Sequence, residues 1–156
     1  MGDKTCCFFG YGKLPKENIE NLLKRLNNEM DTLIRQGVEN FIFSGAPGFD
    51  QMAASLIVAK KEMGNNIRLI FALTYKNHDE HWNAEQKKLL HKLLAEADEI
   101  IYVSEKYQDN CTKKRNRYMA EHSMYCMYVR GYSFNGKDRI RKYMRQKGLK
   151  IINVVF

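Results

Sequence analysis

Phe41-Ile42-Phe43-Ser44-Gly45-Ala46-Pro47-Gly48-Phe49-Asp50 is the stretch on which the fold turns. Phe41 to Phe43 is an apolar run with strand-favouring aromatics. Gly45 and Gly48 bracket Pro47, so the backbone there can come close to a ligand. Beyond them Met52, Ala53, Leu56, Ile57 and Met63 recur at helical spacing. A strand that turns through glycines into a helix presents backbone N–H groups and a positive dipole end. That is an anion site, with phosphate as its commonest guest. Two stricter signatures are absent: no Lys-Ser/Thr pair follows Gly48, and no full G-x-G-x-x-G is formed. The same residues also make an ordinary strand-to-helix turn.

Outward from this stretch, strand and helix alternate along the chain. Thr5 to Phe9 reads as an uncharged first strand ended by Gly10-Tyr11-Gly12. Pro15 sits where a helix can begin, and Ile19, Leu22, Leu23, Leu26, Met30, Leu33 and Ile34 keep one face of it until Gly37. Ile67 to Leu73, Ile100 to Val103, Met124 to Val129 and Ile151 to Val155 are the later strands. Between them lie a helix marked by Leu89 to Ala97, a short helix over 113–122 capped by Thr112, and one through Ile140, Tyr143 and Met144. The alternation predicts an α/β, Rossmann-like parallel sheet with helices on both faces, in one domain over 1–156. Right-handed crossovers bring the loops after Phe9, Ser44, Leu73, Val103 and Val129 to one edge, where such sheets bind ligands.

With 156 residues and 44% hydrophobic content, the chain can bury a core, and no apolar run is long enough to span a membrane. Cys6, Cys7, Cys111 and Cys126 form no C-x-x-C pair, and the four histidines form no H-E-x-x-H. Reduced cysteines, no metal and a cytoplasmic location are therefore expected, given that Met1 to Lys4 opens no signal peptide and no myristoylation signal. His78 and His81 flank Asp79-Glu80 and read as a solvated helix entry. The net charge of +8 is uneven: residues 106–156 hold 13 Lys and Arg against Asp109, Glu121 and Asp138. This points to an anionic partner or to solvated helix faces.

The sheet edge collects a set of residues suited to a phosphorylated ring compound: Gly10, Tyr11 and Gly12; Ser44, Gly45, Ala46, Gly48 and Asp50; Trp82; Ser104; Arg115 and Asn116; Ser133 and Gly136. Backbone N–H groups would hold the phosphate and Arg115 would meet it with two donors. Tyr11 or Trp82 would stack on a base, and Asp50 would accept ribose hydroxyls or cap its own helix. Lys113, Lys114 and Arg115 crowd one helix start, where the dipole already disfavours cations, so a bound anion there would offset the repulsion.

Thr5-Cys6-Cys7-Phe8, Leu14-Pro15, Gly45-Ala46-x-Gly48-x-Asp50, Trp82, Ala97-Asp98, Arg115-Asn116-x-Tyr118-Met119 and His122-Ser123 resemble, in order, the motifs of the YpsA-like family. That family typically opens TCCFTGHRP and continues with GGA-x-G-x-D, RN-x-YM and a late GGT. It belongs to the SLOG superfamily, with DprA-type and Lonely-Guy-type proteins. The resemblance implies a Rossmann-like fold and a nucleotide or nucleotide-derived ligand at the glycine loops. Three motifs depart from the pattern: Phe9-Gly10-Tyr11-Gly12-Lys13 replaces Thr-Gly-His-Arg-Pro, Ser44 replaces a glycine, and Asn135-Gly136-Lys137 lacks the threonine. The glutamate that Lonely-Guy enzymes carry after their glycine-threonine motif is missing, with only Asp138 nearby.

The expectation is a protein that binds or sequesters a nucleotide or nucleotide-derived small molecule, such as a signalling nucleotide, without catalysis or cofactor and as a homo-oligomer. One alternative is a nucleotide hydrolase or phosphoribohydrolase working through Asp50, Glu121 or Asp138. Another is DprA-like binding of single-stranded nucleic acid by the basic C-terminal third.

Overall fold

The uncharged segment Thr5–Tyr11 forms β1, an inner strand of a six-stranded parallel sheet. The structure, a computed structural model, describes residues 2–11, 17–130 and 139–154. After β1 come α1 (Ile19–Arg35), β2 (Asn40–Phe43), α2 (Phe49–Glu62), β3 (Arg68–Leu73), α3 (Ala84–Ala95), β4 (Glu99–Tyr102), α4 (Cys111–Glu121), β5 (Tyr125–Arg130), α5 (Arg139–Gln146) and β6 (Lys150–Val154). The strand order is β4-β3-β2-β1-β5-β6, and every neighbouring pair is parallel.

Side-chain alternation assigns the two faces. Phe8, Phe41, Phe43 and Phe71 point to one side, against Leu22 and Leu26 of α1, Ile57 of α2 and Leu93 of α3. Cys7, Phe9, Ile42, Ile70 and Ala72 point to the other, against Met119 of α4 and Met144 of α5. The division follows from chain direction. The first three crossovers step outward from β1 to β4, whereas the fourth returns across the sheet to β5. With a constant right hand, the reversal moves the later helices to the opposite face. The switch in order therefore lies between β1 and β5, whose carboxyl ends open beside β2.

Two boundaries differ from the sequence reading. β1 does not end at Phe9: Gly10 and Tyr11 continue it, paired with Val129 and Arg130 of β5. A long partner strand overrides the tendency of glycine to end a strand. Thr112 does not cap α4, which begins at Cys111 with Asn110 in the cap position and no side-chain bond there. The expected loop over 131–136 and helix start at Pro15 lie outside the described residues. All four cysteines are free and buried. Among the described residues no helix is long and apolar enough to cross a membrane, and no cluster of His, Cys, Asp and Glu could hold a metal.

Candidate functional site

The β2–α2 turn is built by a buried carboxylate. The Ser44 N–H donates to Asp50 Oδ2 at 2.8 Å, and the Ser44 hydroxyl donates to the same oxygen. Ala46 N–H in turn donates to Ser44 Oγ at 3.2 Å, and Gln51 Nε2 donates to the Gly45 carbonyl at 3.2 Å. Asp50 thus ties the turn to the first turn of its helix. It does not occupy the cap position, which belongs to Gly48. Burial pushes the Asp50 carboxyl above its ordinary range, and the Ser44 hydrogen bonds and the nearby Arg115 guanidinium partly oppose that shift.

Gly48 has φ +92°, a conformation that strains any residue with a Cβ, and a Cβ there would meet nothing within 4 Å among the described residues. Among the described residues no side chain caps α2 at this end. Its first backbone N–H groups therefore keep their directional preference for an anion. Gly10 has a different use. A Cβ on it would lie 2.3 Å from the ring of Phe49, so the bare backbone of β1 is what admits the first residue of α2.

These elements enclose a cavity of about 430 Å³. Gly10, Ser44, Ala46, Gly48 and Asp50 form one wall, and Thr112, Arg115 and Asn116 of α4 form the other. Phe8, Phe9, Ile19, Phe49 and Met52 also line the cavity and make it largely apolar, residues that the sequence reading missed. Arg115 Nε donates to Asn116 Oδ1 at 3.4 Å, and α4 carries no acidic residue in its first turn. A cavity that pairs an open helix N-terminus with an arginine, over apolar side chains, can hold an anionic group joined to an apolar or ring body.

The other sequence candidates lie elsewhere. Gly45 stands behind the turn, its α-carbon facing Leu90, Leu73 and Phe71 rather than the cavity. Trp82 does not line the cavity; it packs edge-on against His78 at 5.4 Å. Ser104 is buried beside the end of β3, its N–H donating to the Thr74 carbonyl at 2.9 Å, and is also absent from the cavity walls. Gly12, Ser133, Gly136 and Asp138 lie outside the described residues, as does the side chain of Tyr11. His78 is not at a solvated helix entry. It is half-buried on the turn before α3, and burial, with Arg115 as a lesser contributor, lowers its pKa. Asp79 and Glu80 beside it in sequence concealed this packing.

The model of the YspA SLOG family (YpsA) matches residues 9–153. A SPbeta prophage-derived protein, YoqJ, of Bacillus subtilis (strain 168) is 31% identical over 128 residues, covering 74% of this chain and 75% of its own. A UPF0398 protein of Enterococcus faecalis is 30% identical over 129 residues, covering 81% of this chain and 70% of its own. Among solved structures, DNA processing protein A from Streptococcus pneumoniae superposes with a TM-score of 0.53 at 12% identity. That match covers 95% of this chain but only 58% of the larger protein, and shows a shared fold.

Proposed function

Given that this chain belongs to the YspA SLOG family, we propose that it binds a nucleotide or nucleotide-derived small molecule at the carboxyl ends of β1 and β2, as a binding or sequestering protein. The observation that carries the reading is the uncapped start of α2 at Gly48 facing Arg115 and Asn116 across one cavity. A phosphate there receives backbone N–H groups on one side and a guanidinium on the other. It also offsets the charge of Arg115 at the start of α4, while Lys113 and Lys114 line a separate cavity with Arg117. Mass spectrometry of small molecules released from native protein, followed by calorimetric titration, tests this. The expected result is a phosphorylated ring compound retained unchanged. Absence of any bound or titratable nucleotide contradicts it.

One observation favours hydrolysis as the second reading: Asp50 is a buried carboxyl in the same cavity with a raised pKa, the state a general acid needs. Its oxygen is already engaged by Ser44, which ranks this reading below simple binding. Incubation with a nucleotide panel discriminates, since release of base, ribose phosphate or phosphate would establish turnover.

A further inference from the structure

α4 sends its polar residues to two different places. Thr112, Arg115 and Asn116 line the cavity described above. Asn110, Lys113, Lys114, Arg117, Tyr118 and Glu121 recur at helical spacing on another side and line a second cavity, of about 600 Å³. Its other wall is Ile101 and Tyr102 of β4, with Val103 just beyond.

Three cations meet in this groove without carboxylates to balance them. The side chains of Lys113 and Lys114 form no ion pair among the described residues. The Arg117 guanidinium lies over the Tyr143 ring at 5.2 Å, a contact that leaves its charge uncompensated. Glu121, the carboxylate of the lining, already accepts a hydrogen bond from the Tyr143 hydroxyl at 2.6 Å. Like charges one turn apart near a helix start repel one another and the dipole, so an acidic group in the groove is favoured.

The groove borders an open sheet edge. β4 is outermost and pairs with β3 alone. Natural edge strands usually carry charges or proline that deter further pairing. Here the strand reads Glu99-Ile100-Ile101-Tyr102, and its one charge is paired with Arg68 Nη2 at 3.3 Å. Ile101, opposite Ala72, lies on the α4 side of the sheet. Ile100 and Tyr102, opposite Phe71 and Leu73, lie on the other side and are 39% and 44% exposed.

We propose that this edge and groove bind an extended acidic segment of a partner protein, which adds to β4 as a further strand. Its backbone pairs with the open ladder, and its side chains alternate between the two faces. Acidic residues on the α4 side meet Lys113, Lys114 and Arg117, and apolar residues on the other side cover Ile100 and Tyr102. The partner's motif is therefore an acidic–apolar alternation at least as long as β4. An open ladder presents N–H and C=O groups in turn, which another strand matches and a phosphodiester backbone does not.

The test is fluorescence anisotropy of the full chain at low salt with three labelled probes. One is a peptide of four Asp-Val repeats, one has the same residues as a block of Val followed by a block of Asp, and one is a short oligothymidylate. Wild type is expected to bind the alternating peptide about tenfold tighter than the block peptide, and Lys113→Ala/Lys114→Ala should weaken it about tenfold. Lys24→Ala/Arg25→Ala, which removes the same charge from α1, should leave it unchanged. Hydrogen exchange should show the alternating peptide protecting β4 and not β6, the opposite edge. No binding of the alternating peptide, equal binding of the block peptide, or equal loss in the two double variants would overturn the proposal. So would protection absent from β4, and tighter binding of oligothymidylate would assign the groove to nucleic acid instead.

Discussion

Two helices on the same face of the sheet begin in opposite ways. At the start of α3, Asn83 Oδ1 accepts from the Gln86 N–H at 2.8 Å, and Gln86 Oε1 accepts from the Asn83 N–H at 3.2 Å. This reciprocal box satisfies donors that a helix otherwise leaves open. At the start of α2 the cap is Gly48, without a side-chain bond, and the nearest carboxylate is turned back into the β2–α2 turn by Ser44. One end is closed on itself and the other faces a cavity with Arg115 opposite. The difference teaches that donor groups alone do not mark a site. What marks it is a helix start left without a side-chain cap by the described residues where another element presents a cation.

The contrast can be broken most severely at its cationic side. Arg115→Ala should weaken a phosphorylated ligand by about 1.5–3 kcal/mol, the range for a hydrogen bond to a charged group. Arg115→Lys should restore only part, because an ammonium lacks the planar fork. Titration calorimetry reads both. Gly10→Ala attacks the support of α2 instead: its methyl must displace the Phe49 ring, an overpacking cost of about 1–3 kcal/mol visible in urea denaturation. Asn83→Ala sharpens the comparison from the closed end. It should cost about 1 kcal/mol of stability and leave nucleotide affinity unchanged, since its donors face no ligand.

The smallest expected effect is a pH dependence. Because burial raises the folded-state pKa of Asp50, folding favours its protonated form. Its contribution to stability is fully present below the unfolded carboxyl pKa and is lost as pH rises through the raised folded value. Asp50→Asn should therefore match wild type in acid and gain on it towards neutral pH, by an amount set by the Ser44 and Arg115 contacts that oppose the shift. Thermal melting across that window would show the two curves diverging upward in pH. Curves that converge upward would mean the ionised carboxylate is net stabilising.

The fold was legible because its strands are short apolar runs between clear helical stripes. The stripe of Leu22, Leu26, Met30 and Leu33 that the sequence showed is the buried face of α1. Boundaries failed where a partner decided them: β5 extends β1 through Gly10 and Tyr11, a contact that no local pattern encodes. The glycine turn and the Arg115-Asn116 pair were legible as special residue types and meet at one cavity. Phe9, Phe49 and Met52 were not, because an apolar residue reads as core until a neighbouring wall is missing. Trp82 carried a plausible chemistry in the sequence but lies on another loop, and His78 was masked by its polar neighbours. The capping box of Asn83 and Gln86 was present as an Asn-x-x-Gln spacing and passed unread.

The central claim is that the opening between α2 and α4 holds a phosphate. Its most direct measurement is calorimetry with nucleoside 5′-monophosphates and the matching nucleosides, on wild type and Arg115→Ala. The account predicts that at least one monophosphate binds wild type tighter than its nucleoside, and that Arg115→Ala removes most of the difference. Equal affinity of every monophosphate and nucleoside, or a phosphate preference untouched by Arg115→Ala, would contradict it.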